Sequence, residues 1–202
     1  MTTVTANLAI SLDGFTAGPD QTFENPFGTG ASALTEWMFE TDRPGREQDK
    51  KLLAEIHADT GAHIMGRNMF GPSRGDWDLD WTGWWGPNPP YHCPVFVLTH
   101  HERAPITMEG GTTFTFVTDG IESALDQARA AAGDKPVEIA GGAATVRQYL
   151  AADLLDELVL HLVPVLLGRG ESLFRGLPAH PLELAETIPS ETVTHLRYRI
   201  PH

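Results

Sequence analysis

Between Pro136 and Leu150 the sequence PVEIAGGAATVRQYL passes from a short apolar run, through a glycine pair, into residues at helical spacing, Val146, Tyr149 and Leu150. An apolar run without polar alternation predicts a strand covered on both faces, and a helix opening directly after it predicts a crossover to a parallel neighbour. Such a unit needs further parallel strands beside it and helices over both faces. The rest of the chain supplies them. AHIMG (62–66), PVFVLTHH (94–101) and FTFVT (114–118) read as buried strands. Glu47 to Ala58, with Leu52, Leu53 and Ile56 on one face, reads as a helix stopped by Gly61. Asp119 and Glu122 have capping-box spacing and open a second helix with Ile121, Leu125 and Ala128 inward, ending at Gly133.

The two ends of the chain read differently. Val4 to Leu12 alternates with period 2 and closes on an Asp13-Gly14 turn, and Asp156 to Leu167 forms one long strand. Leu182 to Ile188 and Thr192 to Ile200 form a hairpin around Pro189-Ser190. Two connections are long: 16–46, holding one short helix in LTEWMFE, and 71–94, whose prolines exclude a central strand and which carries four of the five tryptophans. The total is about eight strands and four helices, an α/β class with a mostly parallel sheet and antiparallel strands at the C-terminal edge.

At 202 residues the chain is expected to form one domain, 1–202. Its formal charge of -13 argues against nucleic acid or anionic membrane as a partner, so an anionic ligand requires a local basic pocket. The single Cys93 allows neither an internal disulfide nor a cysteine-based zinc site, and a cytoplasmic setting is expected. No metal is expected. The start, MTTVTANLAISLDGF, lacks the charged and apolar regions of a signal peptide. The longest apolar stretch, 158–168, is interrupted by His161 and Pro164 and is shorter than the roughly 20 residues that span a bilayer.

Three clusters follow predicted strands and carry chemistry. In IAGGAATVRQYL the glycines admit a close backbone approach, and the first helical turn offers free N–H groups to an anion such as a diphosphate; alternatively the glycines relieve crowding where helix meets sheet. In MGRNMF, Arg67 emerges at a helix start, placed to clamp a phosphate or to pair with a surface carboxylate. In LTHHER, Thr99, His100, His101 and Arg103 make a polar, cationic cluster, and the adjacent histidines point to opposite faces, which disfavours joint metal ligation. Ligand crevices of open α/β sheets form at the carboxyl ends of strands, so the three clusters can converge on one phosphate-rich ligand.

The order of these motifs resembles the dihydrofolate reductase-like superfamily, and more closely the reductase domain at the C-terminus of riboflavin-biosynthesis deaminase-reductases. LAISLDGF, GRNMF, VFVLTHH, IAGGAATVRQYL and PVLLGRGESLF carry the resemblance over nearly the whole chain. It implies the three-layer dihydrofolate reductase-like fold, a homodimer, and NADPH laid across the sheet edge. The nicotinamide would lie near Ala9 and Ile10, the diphosphate against Ala140, Gly141, Gly142, Ala143 and Thr145, and the adenosine phosphate near Gly66, Arg67, Asn68 and Thr99 to His101. The chain departs from the pattern by lacking the zinc deaminase motifs, by carrying Phe15 where many relatives have Lys after SLDG, and by carrying Met69 in place of Thr in the GRxT motif.

The expected activity is NADPH-dependent hydride transfer to a small heterocycle, pterin- or pyrimidine-like and related to the 5-amino-6-(5-phosphoribosylamino)uracil reductase reaction. Asp13 and Glu36 are the candidates for proton delivery or substrate anchoring, a role that requires a raised pKa, although Asp13 also suits a turn. Trp37 and His161 are the candidate substrate contacts, against the alternative that both belong to the core. Two other readings remain: cofactor binding without turnover, and a flavin or deazaflavin in place of NADPH.

Overall fold

Buried and part-exposed residues alternate along Val4–Ser11, strand β1, which lies near the middle of the sheet. The structure, a computed structural model, describes residues 2–39 and 44–202. Glu40, the last residue of the LTEWMFE segment, and residues 41–43 of the connection lie outside the described residues. From β1 the chain runs through β2 (Phe15–Ala17), α1 (Glu36–Phe39), α2 (Glu47–Ala58), β3 (Ala62–Gly66), α3 (Arg67–Phe70) and β4 (Pro94–Leu98). It continues through β5 (Ile106–Thr107), β6 (Thr113–Val117), α4 (Ile121–Ala132), β7 (Val137–Gly141) and α5 (Ala143–Ala151). The last elements are β8 (Glu157–Val163), β9 (Glu171–Ser172), β10 (Glu183–Pro189) and β11 (Thr194–Arg199).

Nine strands form one sheet in the order β10-β11-β8-β1-β7-β3-β4-β6-β5. Neighbours from β8 to β6 are parallel; β11, β10 and β5 run antiparallel to theirs. This is the expected mostly parallel α/β sheet with antiparallel C-terminal edge strands. Helices α4 and α5 cover one face, where Leu125, Ala128, Val146 and Tyr149 pack on Val4, Ala6, Ile64, Ile139 and Leu158. The Tyr149 hydroxyl, carried into this core, donates to the Ile121 carbonyl at 2.8 Å and ties α5 to α4.

The other face carries two smaller cores. Trp37, Leu34, Val163 and Val193 form one, with Leu53 of α2 against it. Phe70, Tyr91, Val95, Val97 and Phe114 form the second, covered by Trp77, Trp81 and Trp85 of the 71–94 connection. That connection holds no strand, as its prolines predict, and its indoles anchor it: Trp77 Nε1 donates to the His101 carbonyl and Trp81 Nε1 to the Phe70 carbonyl, both at 2.9 Å. Between the two cores Thr5, Asn7 and Ala9 of β1 stay part-exposed. A strand flanked on both sides within the sheet is thus open to solvent along one face, which leaves a seam.

Several boundaries differ from the sequence expectation. Eleven strands and five α-helices occur among the described residues, because short pieces such as β2 and β9 pair with each other. The long strand from Asp156 stops at Val163, where Pro164 has no N–H for a ladder. The Asp119 and Glu122 capping box does not form; Gly120, at φ 93, caps α4 without a side-chain bond. Helix α2 has the expected span, Glu47–Ala58, but its C-cap is Asp59 rather than Gly61, and Gly61 is needed for space, since a Cβ there would come within 2.8 Å of Ala132. Gly133 does end α4, at φ 63. No helix of the described residues is long and apolar enough to cross a membrane.

Candidate cofactor and substrate cleft

Sheet order sets the carboxyl ends of β1, β7, β3 and β4 side by side. Ala9 and Ile10, Ala140 to Gly142, Gly66 to Asn68, and Thr99 to His101 therefore share one rim. Met65 pairs with Gly141 and Gly66 with Leu98, and a Cβ on Gly66 would strike the Thr145 hydroxyl oxygen. A Cβ on Gly141 would meet Leu8 at 3.2 Å and the Met69 sulfur at 3.4 Å. Gly141 and Gly142 are joined by a cis peptide, and Gly142 is the N-cap of α5. A Cβ on Gly142 would meet nothing within 4 Å. The amides of Ala143 and Ala144 open the helix without an intrahelical acceptor, so this place offers space and N–H donors to an anion.

A cationic group stands beside it. Arg67 opens α3 with its guanidinium 3.9 Å over the Trp77 ring; Nη2 donates to the Asp76 carbonyl at 3.2 Å, while Nε is buried without a partner. Arg103 also faces Trp77, at 5.1 Å, and donates from Nη2 to the carbonyls of Leu79 and Trp81; its Nη1 is buried without a partner. Burial lowers both guanidinium pKa values, Arg74 adding to the effect at Arg67 and Arg67 to that at Arg103. Two part-exposed guanidiniums side by side on Trp77, each with one nitrogen lacking an acceptor, give this end of the rim the positive charge that a phosphate needs. Around them, the Thr99 hydroxyl accepts from the His101 amide at 3.1 Å, the His101 ring lies 3.7 Å from Asp76, and His100 and Asn68 are exposed. The glycine cradle and the unpartnered arginine nitrogens thus suit a dinucleotide with an extra phosphate.

On the seam side of the sheet, Ala9 pairs with His161 and His161 with His195. The Nδ1 atoms of the two histidines are 2.8 Å apart, and His195 Nε2 lies 3.0 Å from Asp49 Oδ1. Arg46 donates to the same carboxylate at 3.3 Å.

The chain matches the RibD C-terminal domain family over residues 2–196. It belongs to that family. No curated protein sequence matches it. Among solved structures it resembles a Shewanella sp. PV-4 protein assigned to riboflavin biosynthesis, at 23% identity and TM-score 0.67 with 100% of each chain covered. It also resembles Acinetobacter baumannii RibD, at 18% identity and TM-score 0.61, covering 100% of this chain and 58% of that one. Dihydrofolate reductase from Enterococcus faecalis complexed with NADP(H) matches at 15% identity and TM-score 0.57, with 99% and 97% covered. These likenesses establish the dihydrofolate reductase-like fold.

In this RibD C-terminal domain Asp13 serves its turn and Trp37 and His161 lie in a core, the alternatives that the sequence also allowed, while Glu36 sits on the expected short helix. Asp13 accepts from the Ser11 hydroxyl at 2.6 Å and from the amides of Leu167 and Gly168 at 3.1 and 2.6 Å. Foremost the Ser11 bond, and then those amides, hold its carboxyl below the usual carboxylate range, the reverse of what proton delivery requires. Asp13 is therefore the anion that organises the 164–170 loop. Asp13→Ala is expected to speed tryptic cleavage after the exposed Arg169 by about tenfold, measured by limited proteolysis, because the loop loses its anchor. Glu36 is exposed at the start of α1. Trp37 and His161 are 2% and 3% exposed, with ring centroids 4.4 Å apart, so both lie inside a core instead of lining an open surface. Burial, with His195 beside it, pushes the His161 ring down to about 3.

The acid with raised proton affinity is Glu138, which is not among the candidates that the motifs suggest. Glu138 is buried on β7, 3.7 Å from the His63 ring, and burial pushes its carboxyl up to about 7 while Asn7 and Thr60 pull the other way. Glu138 pairs with Thr5, four residues below Ala9, about 13 Å along the strand. It underlies the seam and does not reach the nicotinamide place.

Proposed function

We propose that this RibD C-terminal domain is an NADPH-dependent reductase that reduces a C=N or C=O carbon of a pyrimidine- or pterin-like heterocycle. The observation that supports this most is the single rim on which the open N-terminus of α5 stands beside the Arg67 and Arg103 pair, each with an unpartnered nitrogen. When bound, the cofactor supplies the hydride, and the proton that completes the reduction comes from solvent or a side chain. Gly141, Gly142, Ala143 and Thr145 hold the diphosphate by backbone amides and a hydroxyl. Arg67, with Asn68 and Thr99 to His101, holds the adenosine phosphate, and Trp77 keeps the guanidinium in place. The part-exposed Ala9 and the backbone of Ile10 would give the nicotinamide a floor, with Ala140 beside it.

Phe15 stands where many relatives carry Lys, so the substrate lacks an anionic group at that end. One observation favours the reading of cofactor binding without turnover: the Asp13 carboxyl is held below the usual carboxylate range by its bonds within the turn and loop. The arginine pair speaks for NADPH over a flavin or deazaflavin. We further propose a homodimer built on the exposed edge strand β10, where Leu184 is 59% exposed, testable by sedimentation, and a cytoplasmic setting in view of the lone Cys93.

The deciding experiment titrates NADPH against tryptophan fluorescence, with Trp77 as reporter, and then follows NADPH oxidation across pyrimidine, pterin and carbonyl panels. Arg67→Ala is expected to weaken NADPH about tenfold and leave NADH unchanged, since the guanidinium would hold the phosphate that distinguishes them. Absence of saturable quenching by NADPH in the unmodified protein rejects the proposal.

A further inference from the structure

The end of the sheet opposite the cofactor rim carries a cleft of its own. Thr2 and Thr3 lead into β1, Asp156 and Glu157 lie at the start of β8, Arg199 ends β11, and Arg129 stands on the last turn of α4. Together they line an open cavity of about 340 Å³, at the lower end of the roughly 300–1,000 Å³ of small-molecule pockets. Strand register fixes its floor, since Glu157 pairs with Thr5 of β1 on one side and with Arg199 of β11 on the other. The Asp156 backbone is bonded to that of Val4 and of Ile200, each at 2.9 Å. From Thr3 to Ile10 is seven residues, about 23 Å of strand, so an occupant of this cleft does not touch the rim.

The charges around the cavity are unequally satisfied. Glu157 accepts from Arg197 at 3.1 Å, and Asp156 accepts the Val4 amide at 2.7 Å and lies 3.0 Å from the His202 ring. The guanidiniums of Arg129 and Arg199 have neither a hydrogen bond nor an ion pair among the described residues, and Arg129 Nε is buried without a partner. Arg129 is part-exposed and Arg199 exposed, so both side chains stay within reach of a solute. In a chain of formal charge -13, two arginines in one cavity with no carboxylate of their own are a local exception. The carbonyls at the end of α4, which would repel an anion, are engaged. Those of Arg129, Ala132 and Gly133 accept from the Gly133 amide, the Lys135 amide and the Thr2 hydroxyl.

We propose that this cleft binds a phosphate group, free or as the ester of a small molecule, between Arg129 and Arg199, with the Thr3 hydroxyl as a further donor. A guanidinium presents paired N–H donors that match phosphate oxygens, and two of them balance a dianion. Asp156 and Glu157 keep the donors they already have. The site stands apart from the cofactor rim, and its existence does not depend on the reductase reading.

Nitrogen-15 NMR of the full chain tests it, because the Thr3 and Gly142 amides report separately on the cleft and on the rim. Inorganic phosphate at constant ionic strength is expected to shift the Thr3 amide saturably below about 10 mM. Arg129→Gln and Arg199→Gln are each expected to raise the concentration needed at least about tenfold, and Arg67→Ala to leave the Thr3 titration as it was. Glycerol 3-phosphate distinguishes the two sources: tighter binding than phosphate assigns an ester, equal binding assigns the free ion, and either supports the site. A Thr3 amide that does not shift saturably, a titration unchanged in both glutamine variants, or one lost in Arg67→Ala overturns the proposal. Arg199→Gln, at an exposed strand end, keeps the test decisive if Arg129→Gln does not fold.

Discussion

Gly142→Asp is expected to weaken NADPH binding at least about 100-fold while leaving the unfolding temperature equal or higher. Both halves follow from local geometry. Gly142 has φ -73 and ψ -168, which any residue adopts, and a Cβ there meets nothing within 4 Å. An aspartate at an N-cap accepts from the first-turn amides and stabilises a helix by about 0.5–2 kcal/mol. The same carboxylate would occupy the place offered to the diphosphate. Two like charges about 4 Å apart at an effective dielectric near 20 repel by about 4 kcal/mol, so a 100-fold loss is the lower expectation. Fluorescence titration with NADPH and a thermal melt on the same samples check it. A stable variant with undiminished affinity would remove the diphosphate from α5. Gly66→Ala cannot serve instead, because its Cβ would collide with Thr145 and confound binding with packing.

The elements around that rim were legible because each is encoded locally. An apolar run ended by glycine and followed by a helix start is enough to predict β3 with α3 and β7 with α5, and the parallel rule then brings Arg67 and Gly142 to one edge. The seam was not legible. Its contents depend on which residue of one strand pairs with which of another: His195 meets His161 only through the β8 and β11 register, and Asp49 reaches His195 from a helix more than a hundred residues earlier. Asp13 shows a related gap. Its place in the SLDG turn was readable, but its two amide donors come from residues 167 and 168. Glu138 did leave a signal, a lone acid inside PVEIAGG. A strand covered on both faces must bury whatever charge it carries, so the position of Glu138 within that apolar run is enough to mark it as a carboxyl of raised proton affinity.

Glu138→Gln is expected to stabilise the protein by about 3 kcal/mol at pH 8 and to leave it nearly unchanged at pH 4.5. The folded carboxyl is raised from an ordinary 4.5 to about 7, chiefly by burial. The folded chain thus holds this proton more tightly than the unfolded chain. Between pH 4.5 and 7 the unfolded state binds fewer protons, so stability falls as pH rises, by 1.36 kcal/mol for each unit of difference. Below 4.5 both states are protonated and the cost vanishes; above 7 it is complete. Glutamine keeps the shape and cannot ionise, so the difference between the two proteins should open over that window. Urea unfolding at pH 4.5 and pH 8 measures it, and a difference independent of pH would mean that the carboxyl is not desolvated. The acid belongs to the seam rather than to either core, and its stability cost is confined to the pH range in which the seam carries charge.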